Sequence, residues 1–439
     1  MKEVKPSKKP LAIYYAIVLL VLLFLGVPIS YAIAVSSLTA ILSSIDLNVA
    51  VLTAAQRTFV GMSKFSLTAI PFFILAGNIM NQGGIAKRLV DFVMAILGKM
   101  PGALLVTNIG TNALFGAISG SASAAAAAVG SMIRDGADEQ GYDPAVTAAT
   151  NAASSCSGLL IPPSNALITY SLASGGTSVA ALFMAGYIPG IIWALCCCVV
   201  GVLLAIKLGY KGTPGKFDWK NLGICTLRAL PSLSLIIVVI GGIIGGVFSA
   251  TEGSAIAVAY ALILAFCYRS INLKSLWKII VDSAKMSGMV VFLVGVSNIL
   301  GWVMAFLQIP DAVAAALLSL TSNKYIILLI MNVILLVSGT FMDVTPAILI
   351  FTPLFLPICQ SFGMSTIQFG LILVYNLCIG NITPPVGNAL FVGIKVGRTS
   401  LSKVMPYMLM YYVAIIGGLL LVTFIPAVST ALPQAMGLM

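Results

Sequence analysis

Long apolar runs dominate this sequence and limit what it can fold into. Residues 11–29, 232–248 and 407–425 each approach the roughly 20 residues that a helix needs to cross a lipid bilayer. Of the 439 residues, 60% are hydrophobic and only 8% are charged. The runs are continuous, whereas the strands of a membrane β-barrel alternate apolar and polar residues. We therefore expect an all-helical protein that crosses the cytoplasmic membrane many times and has the lipid bilayer as its main surrounding.

The charged and reactive residues exclude several other functions. The net charge is +11, but the Lys and Arg residues lie in short gaps between apolar runs, where membrane topology explains them without a nucleic-acid partner. The chain has no His, and its eight Cys lack the CxxC spacing of metal sites. No small-residue cleavage site closes the first apolar run, which we therefore expect to remain as a span rather than to leave as a signal peptide.

Three short motifs recur at nearly one spacing. FFILAGNI at 72–79 matches FLVGVSNI at 292–299, and GAISGS at 116–121 matches GTFMDV at 339–344. The most specific match joins IPPSNAL at 161–167 to TPPVGNAL at 383–390. Because order and spacing agree, the sequence predicts two related halves.

We place the first repeat at 1–220 and the second at 221–439. Each is expected to contain scaffold spans, an amphipathic arm helix, a re-entrant hairpin, a broken helix and a closing span. In the first repeat these fall at 11–82, 85–100, 103–133, 147–171 and 182–207, and in the second at 232–304, 309–322, 325–358, 368–394 and 406–427. About five crossings per repeat is an odd number, so the second repeat should be inverted relative to the first. Most Lys and Arg residues then lie inside, although Lys2, Lys5, Lys8 and Lys9 fall outside.

Consecutive prolines within a span remove two backbone donors and break the helix. Such breaks at membrane depth are tolerated where they line a cavity, and transporters use them to coordinate Na⁺ and substrate. The alternative is that the small residues there only allow close helix packing, but two paired, repeated breaks favour ion binding. The candidate sodium-binding residues at the hairpin tips and breaks are Ser119, Gly120, Ser121, Gly158, Pro162, Ser164, Asn165, Gly339, Thr340, Asp343, Gly380, Thr383, Pro384, Gly387 and Asn388.

Asp343 is the one acidic residue deep in an apolar run, and a carboxylate there is a functional candidate because its burial is costly. We expect it to bind Na⁺ at the second site, with proton coupling left open. Half-helix N-termini favour an anionic substrate such as a carboxylate. The candidate substrate-binding residues are Ser123, Pro163, Thr345, Asn376, Asn381 and Pro385.

Four segments together resemble the large membrane subunit of tripartite ATP-independent periplasmic (TRAP) transporters, of the ion transporter superfamily. They are IPFFILAGNIM at 70–80, FGAISGSASAAAAAVGSMI at 115–133, GLLIPPSNALI at 158–168 and GNITPPVGNALFVG at 380–393. The resemblance covers essentially the whole chain. It implies a sodium-driven elevator importer, with sodium held at the same hairpin tips and breaks, for an organic acid such as sialic acid or a C4-dicarboxylate.

The resemblance also implies two protein partners, a small four-helix membrane subunit and a periplasmic substrate-binding protein. Arg57 and Lys64, which the topology places outside, are candidates for docking the binding protein, although ordinary solvated charges are an equal explanation.

Other classes of membrane protein fit this sequence less well. An ATP-driven pump is disfavoured because the sequence contains no GxxxxGK[ST] motif, which would form a phosphate-binding loop. An intramembrane enzyme is not supported, because no set of catalytic side chains lies within a span. A channel would share broken helices but would show uncoupled flux. A self-sufficient sodium- or proton-coupled carboxylate carrier, working as a homodimer, is the remaining alternative.

Overall fold

A computed structural model describes residues 8–212 and 217–439, and within these ranges the chain is helical with no strand. The first half contains α1 (Lys8–Phe24), α2 (Ile29–Leu42), α3 (Leu47–Met62), a 3₁₀ helix (Phe65–Thr68), α4 (Ala69–Gln82), α5 (Ile85–Leu97), α6 (Ala103–Ser119), α7 (Ala122–Glu139), α8 (Pro144–Ser155), α9 (Ser157–Leu160), α10 (Asn165–Ala173) and α11 (Val179–Leu208). The second half contains α12 (Trp219–Ile244), α13 (Ala250–Cys267), α14 (Leu273–Phe306), α15 (Ile309–Leu320), α16 (Lys324–Gly339), α17 (Val344–Ser361), α18 (Thr366–Asn381), α19 (Asn388–Val396), α20 (Leu401–Phe424) and α21 (Pro426–Ala435). The all-helical prediction is confirmed for the described residues.

The helices of the second half follow the same order as those of the first. Two opening helices, a short arm, two hairpin helices, an interrupted helix and a long closing helix occur in each. The main difference lies before the arm, where the single 34-residue helix α14 stands in place of α3 and α4. The relative orientation of the two halves in the membrane stays a prediction.

Six described helices are long and apolar enough to cross a membrane, namely α11, α12, α13, α14, α17 and α20. A seventh span is possible if α3 and α4, which meet at a bend of 59°, are taken as one. The interrupted pair α8 and α10 has only 12 and 9 residues, so neither part reaches across alone. Length and hydropathy therefore indicate a multi-pass membrane protein, and five crossings per half stays a prediction.

Helix packing brings the two halves together at the hairpins. The hairpin helix α7 packs against the half-helix α19 of the other half, and α17 packs against α10 in the corresponding way. On the scaffold side, α14 packs against α2, α3 and α4. The arm helix α5 contacts both α12 and the hairpin helix α6, so it connects the opening helices to the hairpin.

Candidate functional site

A cavity of about 620 Å³ lies between the scaffold helices and the hairpins. Its scaffold wall comes from α4 and α14, and its other walls come from the starts of α7, α10 and α17, the length of α19, and residues of α9 and α18. The residues lining it are Ile70, Ile74, Gly120, Ser121, Ala122, Ser123, Leu159, Asn165, Ala166, Thr169, Met286, Met289, Val290, Asp343, Val344, Thr345, Asn381, Asn388, Phe391, Val392 and Lys395. The structure therefore joins both hairpin tips and both breaks at one place.

Four helices, α7, α10, α17 and α19, begin at this cavity, and serines of the repeated motifs cap the first two of them. The Ser121 side chain accepts a hydrogen bond from the Ala124 amide at 3.3 Å, and this bond caps α7. Ser164 caps α10 by accepting from the Leu167 amide at 3.3 Å. Since the first amides of a helix carry partial positive charge, four converging N-termini favour an anion or an anionic group in the cavity.

At the first hairpin tip, polar oxygens gather around a tight turn. Gly120 has a φ of +63°, and the amide of Asn165 lies directly against it, where a Cβ would come within 2.7 Å of Nδ2. The Ser119 hydroxyl donates to the Ser121 carbonyl at 3.4 Å. The side-chain oxygen of Asn165 is buried without a hydrogen-bond partner. An unpaired buried oxygen is costly unless something binds it, and amide oxygens are suitable ligands for a hard cation.

At the second tip, the hairpin is tied to the break by direct hydrogen bonds. The Val386 amide donates to the Thr340 carbonyl at 3.1 Å, and the Asn388 amide nitrogen donates to Asp343 Oδ1 at 3.4 Å. Asp343 occupies the N-cap position of α17 but makes no side-chain capping bond. Its carboxylate is exposed on the cavity wall and available to a cation.

In each half, a hairpin helix crosses the interrupted helix at a point where a glycine of one helix contacts a glycine of the other. A Cβ on Gly158 would lie 2.2 Å from the backbone of Gly116, and a Cβ on Gly380 would lie 2.3 Å from that of Gly339. No side chain fits at these distances, so the close backbone approach requires glycine at both crossings. The peptide bonds Pro162–Pro163 and Pro384–Pro385, a few residues beyond, are both cis.

The structure divides the sequence-predicted residues into two groups. Eight of them line the cavity, namely Gly120, Ser121, Asn165, Asp343, Asn388, Ser123, Thr345 and Asn381. The others lie outside its lining, namely Ser119, Gly158, Pro162, Ser164, Gly339, Thr340, Gly380, Thr383, Pro384, Gly387, Pro163, Asn376 and Pro385. Sodium and substrate roles stay predictions for both groups.

Asn376 and Pro163 lie away from the cavity, although the side-chain oxygen of Asn376 is also buried without a hydrogen-bond partner. Asn376 is fully buried, and its amide donates to Asn332 Oδ1 at 2.7 Å, while Asn332 donates to the Thr423 hydroxyl at 3.0 Å. Pro163 packs toward the scaffold helices α4 and α12. A similar amide cluster in the first half joins Asn112 to Asn151 at 3.0 Å. These amides hold the hairpins to the interrupted helices.

Sequence reasoning did not anticipate Lys395, Met286 and Met289 on the cavity wall. Lys395 is exposed in the last turn of α19 and brings a positive charge to one mouth of the cavity. The sequence could have indicated Lys395, because it lies seven residues, or about two helical turns, after Asn388 and so shares one face of the short helix with it.

Arg57 and Lys64 line a smaller cavity of about 400 Å³, together with Asn298 and Trp302 of α14. This cavity also reaches Leu349 of α17. On α14, α10 and α17, only one helical turn separates the lining of the two cavities: Val290 from Val294, Thr169 from Leu172, and Thr345 from Leu349. The two cavities therefore lie on either side of one contact zone, in which α14 faces α10 and α17, and we call this zone the seam.

The motifs and the fold together match one known family. A family model described as "Tripartite ATP-independent periplasmic transporter, DctM component" matches residues 16–428. This chain belongs to that family. The TRAP large permeases are membrane transporter subunits of the inner membrane, and membership implies a small membrane subunit and a periplasmic binding protein as partners.

Individual relatives cover nearly the full length of this TRAP permease. It is 49% identical over 413 residues to the uncharacterized protein YgiK of Salmonella typhimurium, covering 94% of this chain and 95% of that protein. It is 32% identical to the C4-dicarboxylate TRAP transporter large permease protein DctM of Rhodobacter capsulatus, covering 96% and 98%. It is also 32% identical to the sialic acid TRAP transporter large permease protein SiaM of Vibrio cholerae, covering 94% and 96%.

A solved structure shares the fold of this TRAP permease. The crystal structure of the YdaH transporter of Alcanivorax borkumensis superposes with a TM-score of 0.61 at 15% identity, covering 87% of this chain and 89% of that one. The likeness shows that this chain shares its overall fold with that structure.

Proposed function

We propose that this chain is the membrane component of a sodium-driven importer for an organic acid, which a periplasmic binding protein delivers and a small four-helix subunit helps to transport. The observation that carries the proposal is the central cavity, where both hairpin tips and both helix breaks meet. Family membership supports the transport role and the two partners.

Sodium coupling is supported by the oxygen atoms at the two tips. In the first half, the unpaired Asn165 oxygen lies beside the Ser119–Ser121 turn. In the second half, Asp343 supplies a carboxylate near Thr340 and Asn388. Carboxylate, amide and backbone oxygens suit hard cations, and the described residues contain no cluster of His, Cys, Asp and Glu for a transition metal. We assign one sodium site to each half.

A carboxylate substrate is supported by the helix ends that surround the cavity. Four helix N-termini line it, and Lys395 stands at its mouth. Ser123, Thr345 and Asn381 offer neutral hydrogen-bonding groups on its walls. Sialic acid and C4-dicarboxylates, named for the SiaM and DctM relatives, are the substrates to test first.

An elevator movement is supported by the seam between α14 and the hairpins. A cavity lies at each end of this seam, and one helical turn separates them. In the proposed cycle, the hairpin, the interrupted helix and the closing span of each half move together as one unit, while the opening helices stay as scaffold. Sliding this unit along α14 closes one cavity and opens the other. The arms α5 and α15 connect this unit to the scaffold.

The basic residues indicate that the two cavities open to opposite sides of the membrane. Lys395 belongs to the cytoplasmic set under the positive-inside rule, so the central cavity opens inward. Arg57 and Lys64 then face the periplasm, where we propose that they attract the binding protein.

The decisive experiment measures uptake of labelled sialic acid and C4-dicarboxylates into proteoliposomes. The sodium gradient, the small subunit and the binding protein are each present or omitted in turn. We expect uptake only when all three are present. Sodium-driven uptake by this chain alone would instead establish a self-sufficient carrier, and uptake that follows only a pH gradient would establish proton coupling.

A further inference from the structure

A separate basic cavity of about 570 Å³ lies beside the arm helix, between α5, α12 and the turn that follows α13. Lys87 and Arg88 of α5 line it, together with Arg228 of α12. Asp91 is the acidic residue on its wall. Three cationic side chains against one carboxylate leave the cavity with an excess of positive charge.

None of these three cations forms an ion pair within the described part of the chain. The two ion pairs recorded there join Arg134 to Asp138 and Lys285 to Asp282. Arg88 is held in place by stacking on the Tyr268 ring, 3.5 Å from its centroid, and by donating to the Gly84 carbonyl at 3.0 Å. The remaining guanidinium N–H groups of Arg88 are therefore preoriented, and this planar fork suits phosphate oxygens.

The cavity lies at the boundary between the membrane and the aqueous phase. Arg228 is the last charged residue of α12 before its apolar stretch, and α13 ends just before Tyr268 and Arg269. The arm helix α5 buries Ile85, Ala86, Leu89 and Val93 against the protein and leaves Lys87 and Asp91 exposed. The concentration of basic residues at these helix ends places the cavity on the cytoplasmic side.

We propose that this cavity binds the headgroup phosphate of an anionic phospholipid from the cytoplasmic leaflet. Lys87, Arg88 and Arg228 contact the phosphate oxygens. Basic pockets between helices on the cytoplasmic side suit such headgroups.

The apolar surface next to the cavity favours a lipid over a free phosphate. Leu227 lines the cavity and is 70% exposed, and Ile224 and Leu230 of the same helix are also exposed. They offer a surface for acyl chains directly beside the basic residues. A soluble anion would make no use of it.

Binding at this place would affect the arm. Helix α5 joins α12 to the hairpin helix α6, so a lipid held between α5 and α12 braces the connection on which the hairpin depends. The proposal concerns lipid binding alone and does not rest on the transported substrate.

Native mass spectrometry of the full chain, titrated with cardiolipin, phosphatidylglycerol and phosphatidylethanolamine, tests the proposal. We expect the two anionic lipids to bind more tightly than phosphatidylethanolamine. We expect the double variant Lys87→Gln with Arg228→Gln to weaken their binding about thirtyfold, because it removes two of the three positive charges that face the phosphate. The matched control is Lys274→Gln with Lys278→Gln, which removes the same charge from exposed positions outside the cavity and should bind lipid as the unaltered chain does.

Two outcomes would overturn the proposal. Equal loss of lipid binding in both double variants would assign the effect to general surface charge. Inorganic phosphate that displaces the lipids, in the absence of any headgroup preference, would assign the cavity to a soluble anion. Circular dichroism of each variant establishes that the helices are intact before binding is compared.

Discussion

At the scale of single residues, Asp343 is the carboxylate on the wall of the central cavity. It makes one long hydrogen bond, with Asn388, and caps no helix with its side chain. We therefore expect Asp343→Asn to raise the sodium concentration for half-maximal uptake by about tenfold, equivalent to roughly 1.4 kcal/mol of lost attraction. Uptake assays over a sodium series measure this. Asp311→Asn, at an exposed position of the arm α15, serves as the control and should leave the sodium dependence unchanged.

Asn165 carries the corresponding prediction for the first half. Because its side-chain oxygen is buried and unpaired, Asn165→Ala should lower sodium affinity without lowering the unfolding temperature of the sodium-free protein. Thermal unfolding with and without sodium separates the two effects. A loss of stability that is the same in both conditions would assign this amide to packing instead.

Asn376 is predicted to act differently, although sequence reasoning grouped it with the substrate-binding residues. Removing its amide leaves the buried Asn332 oxygen without its donor. We expect Asn376→Ala to reduce the free energy of unfolding by about 1–3 kcal/mol. Chemical denaturation measures this cost. An unchanged stability combined with a raised KM for uptake would restore the substrate-binding role.

At the scale of helices, the glycine crossings set how closely hairpin and interrupted helix approach. Gly158→Ala or Gly380→Ala places a Cβ against backbone that has no room for it, so we expect about 1–3 kcal/mol of destabilisation. Gly417→Ala is the matched control, because a Cβ there meets nothing within 4 Å on the exposed face of α20. Thermal unfolding should lower the midpoint of the first two variants and leave the third unchanged or raised.

Several helices could be predicted from the sequence, and the exceptions have physical causes. The observed bounds of α5, α11 and α15 lie within a few residues of the expected 85–100, 182–207 and 309–322. Helix α3 was not expected as a separate element, because Gln56, Arg57 and Thr58 interrupt its apolar pattern. The early start of α14 at Leu273, within the expected scaffold range 232–304, is hard to read from the sequence, because its first turns carry Lys274, Lys278 and Asp282 and resemble a loop.

The site was predictable where the backbone itself is special. Proline pairs and glycine-rich tips identify breaks in the helices from the sequence alone. The cavity residues near Gly120 and Asn388 could therefore be predicted. Which polar side chain faces the cavity could not be predicted, because Asn376 and Asn381 lie on the same helix, and only the packing shows that Asn376 points to Asn332 while Asn381, at the helix end, reaches the cavity. Lining residues from α14 depend on tertiary packing that no local pattern encodes.

At the scale of the whole molecule, the seam between α14 and the hairpins predicts sidedness. After replacement of the exposed Cys267, a cysteine at Ser123 should react with an impermeant thiol reagent applied from the cytoplasmic side. A cysteine at Ala305, an exposed position in the lining of the smaller cavity, should react from the periplasmic side. Labelling in right-side-out and inside-out vesicles tests this. Reaction of both positions from one side would contradict the proposed topology.

The paired glycines at 116 with 158, and at 339 with 380, also limit how such a chain can change over generations. A single-base change in a glycine codon that alters the amino acid always introduces a residue with a Cβ. At 339 the added Cβ would lie 3.2 Å from Gly380, which is a tight contact. At 116, 158 and 380 it would lie 2.8 Å or less from the facing backbone, so no such change preserves the crossing. A lineage leaves glycine at these positions only if the two helices first move apart, and that movement would reshape both mouths of the transport path.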